Sequence, residues 1–197
     1  MNHSLSIAGY NTRFRSVRIS DAEFILHLRN MPHVAGTVGD TVPEVAEQRR
    51  WIESYFERPD EYYFIIESLQ GQPWGTIGLY NFRAAGAEWG RWIISPGIMA
   101  ALPSAVLVHQ LAFDHFDLAE LRGEVVSSNS KVLSFHRRFG CEEVGIARQS
   151  RIIQGQNVDM VQFVLSKVRW PTIFPKLHVM AEQAGRLLCN NQSSSEA

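Results

Sequence analysis

Cysteine is scarce in this sequence: Cys141 and Cys189 are the only two among 197 residues, and they form no C-x-x-C pair. A disulfide framework and a cysteine zinc site are therefore excluded as organising features, and the pair reads as two free thiols in a reducing compartment. Net charge is just as slight, −1 from 19 Lys and Arg against 20 Asp and Glu, so no overall basic field is on offer to nucleic acid. No uninterrupted apolar run is long enough to span a bilayer. The first twelve residues are polar and lack the apolar core of a secretory signal. Internal repeats are missing too. These absences point to a soluble, cytoplasmic chain with no metal, nucleic-acid or membrane partner.

What the chain does have is an ordinary globular composition, 45% hydrophobic and 20% charged, enough for one core without staples. Residues 1–12 read as a flexible start and 13–168 as the folded domain. Residues 169–189 read as an extension with an amphipathic helix, and the polar residues 190–197 as a disordered tail. Residues 14–19 alternate like a strand. Ser20 with Glu23, and Thr41 with Glu44, have the spacing of capping boxes that open two helices. The second helix places Trp51, Ile52, Tyr55 and Phe56 at helical spacing. Three strands follow at 62–67, 74–80 and 88–95, separated by Gly-containing turns. A helix over 103–116, a strand over 121–127, a helix over 129–139 ended by Gly140, and a hairpin around Gln154-Gly155 complete the domain. An antiparallel meander followed by strand-helix-strand-helix-strand predicts a mixed sheet with helices on both faces. Where strand directions change, such a sheet can part and admit a ligand.

Three features in residues 92–140 bear on chemistry. The helix near Pro103 presents free N–H groups and a positive dipole end, suited to a pyrophosphate or to nothing more than a helix start. Glu124 interrupts an apolar strand, where a carboxylate is costly without a partner or a task. It is either an edge residue facing water or a base at the mouth of the sheet. His136 falls on the apolar side of its helix with Val132, Phe135 and Phe139, the usual position of a hydrogen-bonded core histidine.

Asn129, Val132, His136, Gly140 and Cys141 resemble the Asn-x-x-Ala-x-x-x-Tyr-x-x-x-Gly-Phe pattern of GNAT N-acetyltransferases. Residues 124–129 resemble the Glu-Val-x-x-x-Asn segment of ribosomal-protein acetyltransferases in that superfamily. The resemblance implies a mixed, mostly antiparallel sheet of six to seven strands, splayed between the fourth (88–95) and fifth (121–127), with acetyl-CoA in the gap. It implies that the backbone near Trp92, Ile93 and Ile94 pairs with the pantetheine arm, and that Asn129 contacts the cofactor. Glu124 would be the general base, and His136 would stand in for the tyrosine that protonates the departing thiolate. The Gln/Arg-x-x-Gly-x-Gly/Ala phosphate loop of the superfamily is not matched in residues 96–105, where Ala100, Ala101 and Ser104 are the small residues that would allow close approach.

Arg29, the tryptophan helix around Trp51, and residues 92–96 resemble GNATs acting on nucleotide-linked amino sugars. That makes a small-molecule amine the expected acceptor, with Arg29, Trp51, Tyr80 and Glu88 as its candidate contacts and Arg49, Arg50 and Arg83 as further cations. A protein N-terminal amine is the alternative acceptor, and a non-catalytic acyl-CoA-binding module is the alternative to an enzyme. Trp170-Pro171 and Pro175 read as breaks. After them Leu177, Met180, Ala181, Ala184, Leu187 and Leu188 form a helix that packs on its own domain or, as a homodimer, on a second copy.

Overall fold

The structure is a computed structural model describing residues 3–193, with side chains to residue 189. In chain order its elements are β1 (Ile7–Gly9), β2 (Thr12–Ser16), α1 (Ala22–Arg29), α2 (Pro32–Ala35), α3 (Val45–Phe56), β3 (Tyr62–Ser68), β4 (Pro73–Arg83) and β5 (Gly86–Ile94). Then come α4 (Ala101–Gln110), β6 (Glu120–Val126), α5 (Ser130–Phe139), β7 (Glu142–Ile153), β8 (Gln156–Ser166) and α6 (Trp170–Ser193). Residues 1–2 of the expected flexible start and 194–197 of the expected tail lie outside the described residues.

All eight strands join one sheet in the order β1-β2-β3-β4-β5-β6-β8-β7. Every neighbouring pair is antiparallel except β5 and β6. The six- to seven-strand expectation falls short by β1. Three residues cannot display an alternating pattern, so pairing with β2 rather than local sequence makes that strand. The Tyr10-Asn11 turn between them holds both residues at positive φ, 56° and 55°, the two-residue geometry that suits a hairpin.

Side-chain alternation divides the core in two. On one face Phe64, Ile66, Ile77 and Leu79 pack against α4, α5 and α6. On the other, Tyr63 and Ile65 pack against Ile25 of α1 and Ile52 and Tyr55 of α3. The helices of the second face therefore cover β3, and Leu28 and Val34 of α1 and α2 reach Ile93 at the end of β5.

Neither expected capping box forms. Asp21, rather than Ser20, anchors the first helix: its carboxylate accepts the Arg18 N–H (2.7 Å) and pairs with Arg15. Arg15 and Arg13 also pair with Glu67, which is 2% exposed, so a buried carboxylate there has two cations and is satisfied. Thr41 accepts instead from Arg29 (2.6 Å), and Glu44 occupies the N-cap of α3. Ser/Thr-x-x-Glu spacing is one local signal, and here bonds from Arg15 and Arg18 to Asp21 and from Arg29 to Thr41 take its place.

The prolines of the final segment do not break it either. Pro171 sits in the first turn of α6, where its missing N–H is harmless. Pro175 forfeits one helical bond, but Trp170, Leu177, Ala181 and Leu188 bury themselves in the main core. Gly185 faces the Tyr10 backbone so closely that a Cβ would overlap it, and Asn11 donates to the Gly185 carbonyl (2.8 Å). The helix thus packs on its own domain.

Two histidines are locked inside this core. His109 is fully buried, with Nδ1 2.7 Å from the Ala105 carbonyl and its ring stacked on Trp170. His136 is 4% exposed and stacked on Phe163. Burial lowers them from 6.5 to about 3 and about 4 respectively. The unfolded chain therefore binds protons below 6.5 that the folded chain refuses. Stability is complete above pH 6.5 and falls as pH drops towards 4, with a slope of up to ~1.4 kcal/mol per pH unit per histidine. Urea midpoints measured from pH 7.5 to 4.5 should fall, and a double His109→Phe, His136→Phe variant should flatten that dependence.

Candidate active site

The site originates in an irregularity of β5. Gly78 of β4 pairs with Gly90 and Thr76 pairs with Ile93, so two residues on β5 oppose one on β4. This is a β-bulge, and Arg91 within it has φ 50°. A non-glycine residue there costs about 1–3 kcal/mol and persists only when its surroundings impose it. The Thr76 hydroxyl helps by donating to the Arg91 carbonyl at 2.7 Å. The bulge bends β5 away from β6. The two strands pair only at Gly86–Glu120, Ala87–Leu121 and Glu88–Arg122. Beyond that, residues 89–94 and 123–126 face each other without a ladder, while β6 stays fully paired to β8. The expected parting of the two strands is present.

A cavity of about 770 Å³ occupies the parting and extends over the α1–α3 face. Its lining unites Arg29, Trp51, Tyr80, Glu88, Trp92, Glu124, Asn129 and His136, residues spread across more than half of the sequence. Glu124 and His136 do not share a face, however. Gly123 points at His136 and Trp89, so that a Cβ there would lie 3.6 Å from His136 Cε1. Glu124, the next residue, points to the opposite side. The gap between the strands connects the two.

Glu124 is well partnered: Arg151 donates to one oxygen (2.9 Å) and Gln162 to the other (3.0 Å). His136 has a buried Nδ1 with no hydrogen-bond partner. Since burial lowers it to about 4, its ring is neutral near pH 7. Trp89, Trp92 and Phe163 surround the ring, and it is their exclusion of water that disfavours the charged form.

Of the expected cofactor residues, Trp92 and Asn129 line the cavity, while Ile93, Ile94, Ala100, Ala101 and Ser104 lie outside the lining. Ser104 is fully buried, and its hydroxyl accepts from Trp92 Nε1 (3.0 Å) and donates to the Ala101 carbonyl (3.0 Å). It fixes Trp92 rather than facing a ligand. Ala100 is buried at the start of α4, with Ala101 next to it as the first helical residue. Ile93 buries its side chain among Leu28, Met31 and Val34, and Ile94 packs against the main core. Asn129 caps α5, its Oδ1 accepting the Val132 N–H at 3.2 Å.

On the acceptor side, Trp51 is not an open stacking platform. Its ring is parallel to Tyr55 and flanked by Arg58 (5.4 Å) and Arg91 (5.3 Å). Arg29 donates to Thr41 Oγ1 and to the Gly39 carbonyl (2.8 Å), two neutral acceptors. Burial first, and the nearby Arg91 charge after it, lower its guanidinium. Glu88 is taken by Asn81 (3.0 Å) and Arg83 (3.3 Å), and Arg50 by Glu47. Arg49 and Arg83 are not part of the lining.

Sequence reading missed Arg91, the most constrained cation of the site. Its guanidinium lies over Tyr80 (4.6 Å), Trp51 and Tyr63 (5.5 Å), and one nitrogen donates to Glu61 (3.0 Å). The other terminal nitrogen, Nη1, is buried without a partner, a cost of about 1–3 kcal/mol. The register shift that singles it out is a property of strand pairing, and Gly90-Arg91 carries no local mark of it. Among the described residues no group of three or more His, Cys, Asp or Glu is placed to hold a metal ion. No helix among them is long and apolar enough to cross a membrane.

Comparison with known proteins now identifies the family. The acetyltransferase (GNAT) domain model matches residues 11–142. Among solved structures, FdhC, described as a nucleotide-linked sugar GNAT, is 28% identical, covering 86% of this chain and 94% of its own, with a TM-score of 0.71. A GCN5-related N-acetyltransferase from Brucella melitensis superposes with a TM-score of 0.79 at 20% identity, over 91% of this chain and 86% of its own. A variant of the spermidine N-acetyltransferase SpeG from Vibrio cholerae gives 0.71 at 18%, over 82% and 97%. A search of curated proteins gives no match. The chain belongs to the GNAT acetyltransferase family. It is an acyltransferase, and acetyl-CoA is the cosubstrate of that family.

A Cβ on Gly90 would overlap the Tyr80 hydroxyl. Gly90→Ala should therefore push Tyr80 off Arg91 and lower kcat/KM for an acceptor by about tenfold or more. The acetyl-CoA affinity should hold if Tyr80 contacts the acceptor alone. Steady-state kinetics with calorimetry on acetyl-CoA tests this.

Proposed function

We propose that the chain transfers the acetyl group of acetyl-CoA to a primary amine on a nucleotide-linked amino sugar. The observation that carries this reading is the likeness to FdhC, at 28% identity over most of both chains. The lining carries Arg29, Arg50, Arg58, Arg91 and Arg151 against Asp40, Glu47, Glu88 and Glu124, a mixed wall that an acceptor bearing both an amine and anionic groups can engage. Spermidine, a polycation, is named for a more distant neighbour. A protein N-terminal amine is the remaining alternative.

In this reading the cosubstrate's pantetheine arm lies along the unpaired edges of β5 and β6. Backbone N–H groups there, released by the bulge, are the donors suited to the thioester oxygen as it gains charge. The Asn129 amide nitrogen and the N–H groups of Ala101 and Leu102 serve the nucleotide end. Pro103 removes one donor from that turn, which sets this loop apart from glycine-rich ones. The amine nitrogen bonds to the thioester carbon as the carbon–sulfur bond breaks. Glu124, directly or through water, accepts the amine proton, since each carboxylate oxygen keeps acceptor capacity beyond its one bond. The sulfur takes up a proton and leaves as the free thiol. His136, neutral and stacked, positions the thioester end of the gap instead of supplying that proton.

Glu124→Gln should lower kcat by about 10²–10⁴-fold with acetyl-CoA affinity unchanged. His136→Phe should lower kcat by less than about tenfold, or 1.4 kcal/mol, and the wild-type pH–rate profile between 6 and 8 should persist in it. Equal losses in the two variants would return His136 to the chemistry. A panel of amino-sugar nucleotides, spermidine and N-terminal peptides, read by free-thiol release, identifies the acceptor. Turnover confined to peptides or polyamines would refute the sugar reading.

A further inference from the structure

Glu124 is held at both oxygens, by side chains from two different strands. Arg151 of β7 donates to Oε2 at 2.9 Å, and Gln162 of β8 donates through Nε2 to Oε1 at 3.0 Å. A glutamate side chain has several rotatable bonds, and a single donor would leave its carboxylate free to swivel about that contact. Two donors on different strands fix the carboxylate plane, so the remaining lone pairs keep a set direction.

Neither bond adds much to the fold. The β6–β8 ladder already joins Glu124 and Gln162 as directly opposite residues within a run of backbone pairs. The Arg151 side chain is 48% exposed, and exposed ion pairs contribute little to stability. Both donors are nonetheless placed by specific local structure. Opposite residues share a face of the sheet, so Gln162 lies on the Glu124 side. Across from Gln162, β7 carries Gly145, where a Cβ would lie 3.5 Å from Gln162 Oε1. The amide carbonyl therefore faces β7 while its nitrogen faces Glu124. Arg151 arrives by way of a bulge: β7 advances from Ala147 to Arg151 while β8 moves only from Met160 to Val158. Gln149, in the extra stretch, has φ 47°. Asp159 pins that stretch, accepting the Gln149 N–H (2.8 Å) and a bond from Arg148 Nη1 (2.6 Å). Arg151 thereby joins Glu124 in the cavity lining, whereas Gln162 stays outside it.

We infer that Arg151 and Gln162 are positioning residues for the acetyl transfer: together they hold the Glu124 carboxylate in the orientation from which it accepts the amine proton. Both act only as hydrogen-bond donors, one charged and one neutral, and Glu124 alone takes up the proton. This rests on Glu124 as the base proposed above and is independent of which amine is the acceptor.

The test is a double-mutant cycle on the full chain, read by free-thiol release. The acceptor is the amine that wild type acetylates in the panel above, with water as a second acceptor through slow acetyl-CoA hydrolysis. Gln162→Leu removes a donor without changing charge, and Arg151→Gln removes the guanidinium. Each should lower kcat by about tenfold, with KM for the amine and acetyl-CoA affinity as in wild type. Arg151→Lys, which keeps a cationic donor, should recover part of the loss. Added to Glu124→Gln, either substitution should lower kcat less than about twofold further, because residues that act through one group are not additive. Losses that multiply with that of Glu124→Gln mark a structural role and overturn the inference. A raised KM with unchanged kcat in Arg151→Gln makes Arg151 an acceptor contact and overturns it as well. The base is judged separately, since wild-type kcat in Glu124→Gln refutes Glu124 itself. An impaired Glu124→Gln beside unimpaired Gln162→Leu and Arg151→Gln defeats only the positioning role.

Discussion

The extra residue that β5 carries opposite β4 is the constraint on which the rest of the site depends. Without it β5 would run beside β6 for its full length and the sheet would close. With it, three parallel pairs hold the strands at one end and the other end stands open. The flanking ladders make this affordable. β5 is tied to β4 on both sides of the bulge, and β6 is tied to β8 along seven consecutive pairs. Each strand keeps one full partner, so parting them sacrifices only the shared edge, where a ligand can replace the missing bonds.

The opening also brings together two chemically different faces. Strand alternation puts Glu124 with Tyr80 and the arginines, and turns Gly123 towards His136 and the aromatic wall. One side is polar and lined by arginines and carboxylates together. The other is apolar and excludes charge, as the neutral state of His136 reflects. A gap between strands, unlike a surface groove, lets chemistry draw on both.

Much of the domain was legible because its signals are local. Asn129 and Gly140 bracket α5 as expected, the latter at φ 108°, since a cap and a left-handed stop depend on a few consecutive residues. Gln154-Gly155 turns the last hairpin for the same reason. Ser20 misled because Asp21, beside it, takes the Arg18 N–H, and Thr41 because Arg29, twelve residues earlier, takes its hydroxyl. Pro175 misled because burial of Trp170, Leu177 and Leu188 outweighs one lost helical bond.

By itself the sequence determined the order of the longer strands and helices, the amphipathic faces, and the pairing of Glu124 with Asn129 in one short segment, but not β1 or α2. Periodicity and capping act over a few residues, so a linear reading suffices for them. Only the tertiary structure decided that Glu124 meets Arg151 and Gln162, that Ser104 serves Trp92, and that Arg91 stands among Trp51, Tyr63 and Tyr80. Those outcomes depend on register between strands and on partners tens of residues away. A one-residue offset in pairing changes which side chains share a cavity, and no neighbour in the chain records that offset.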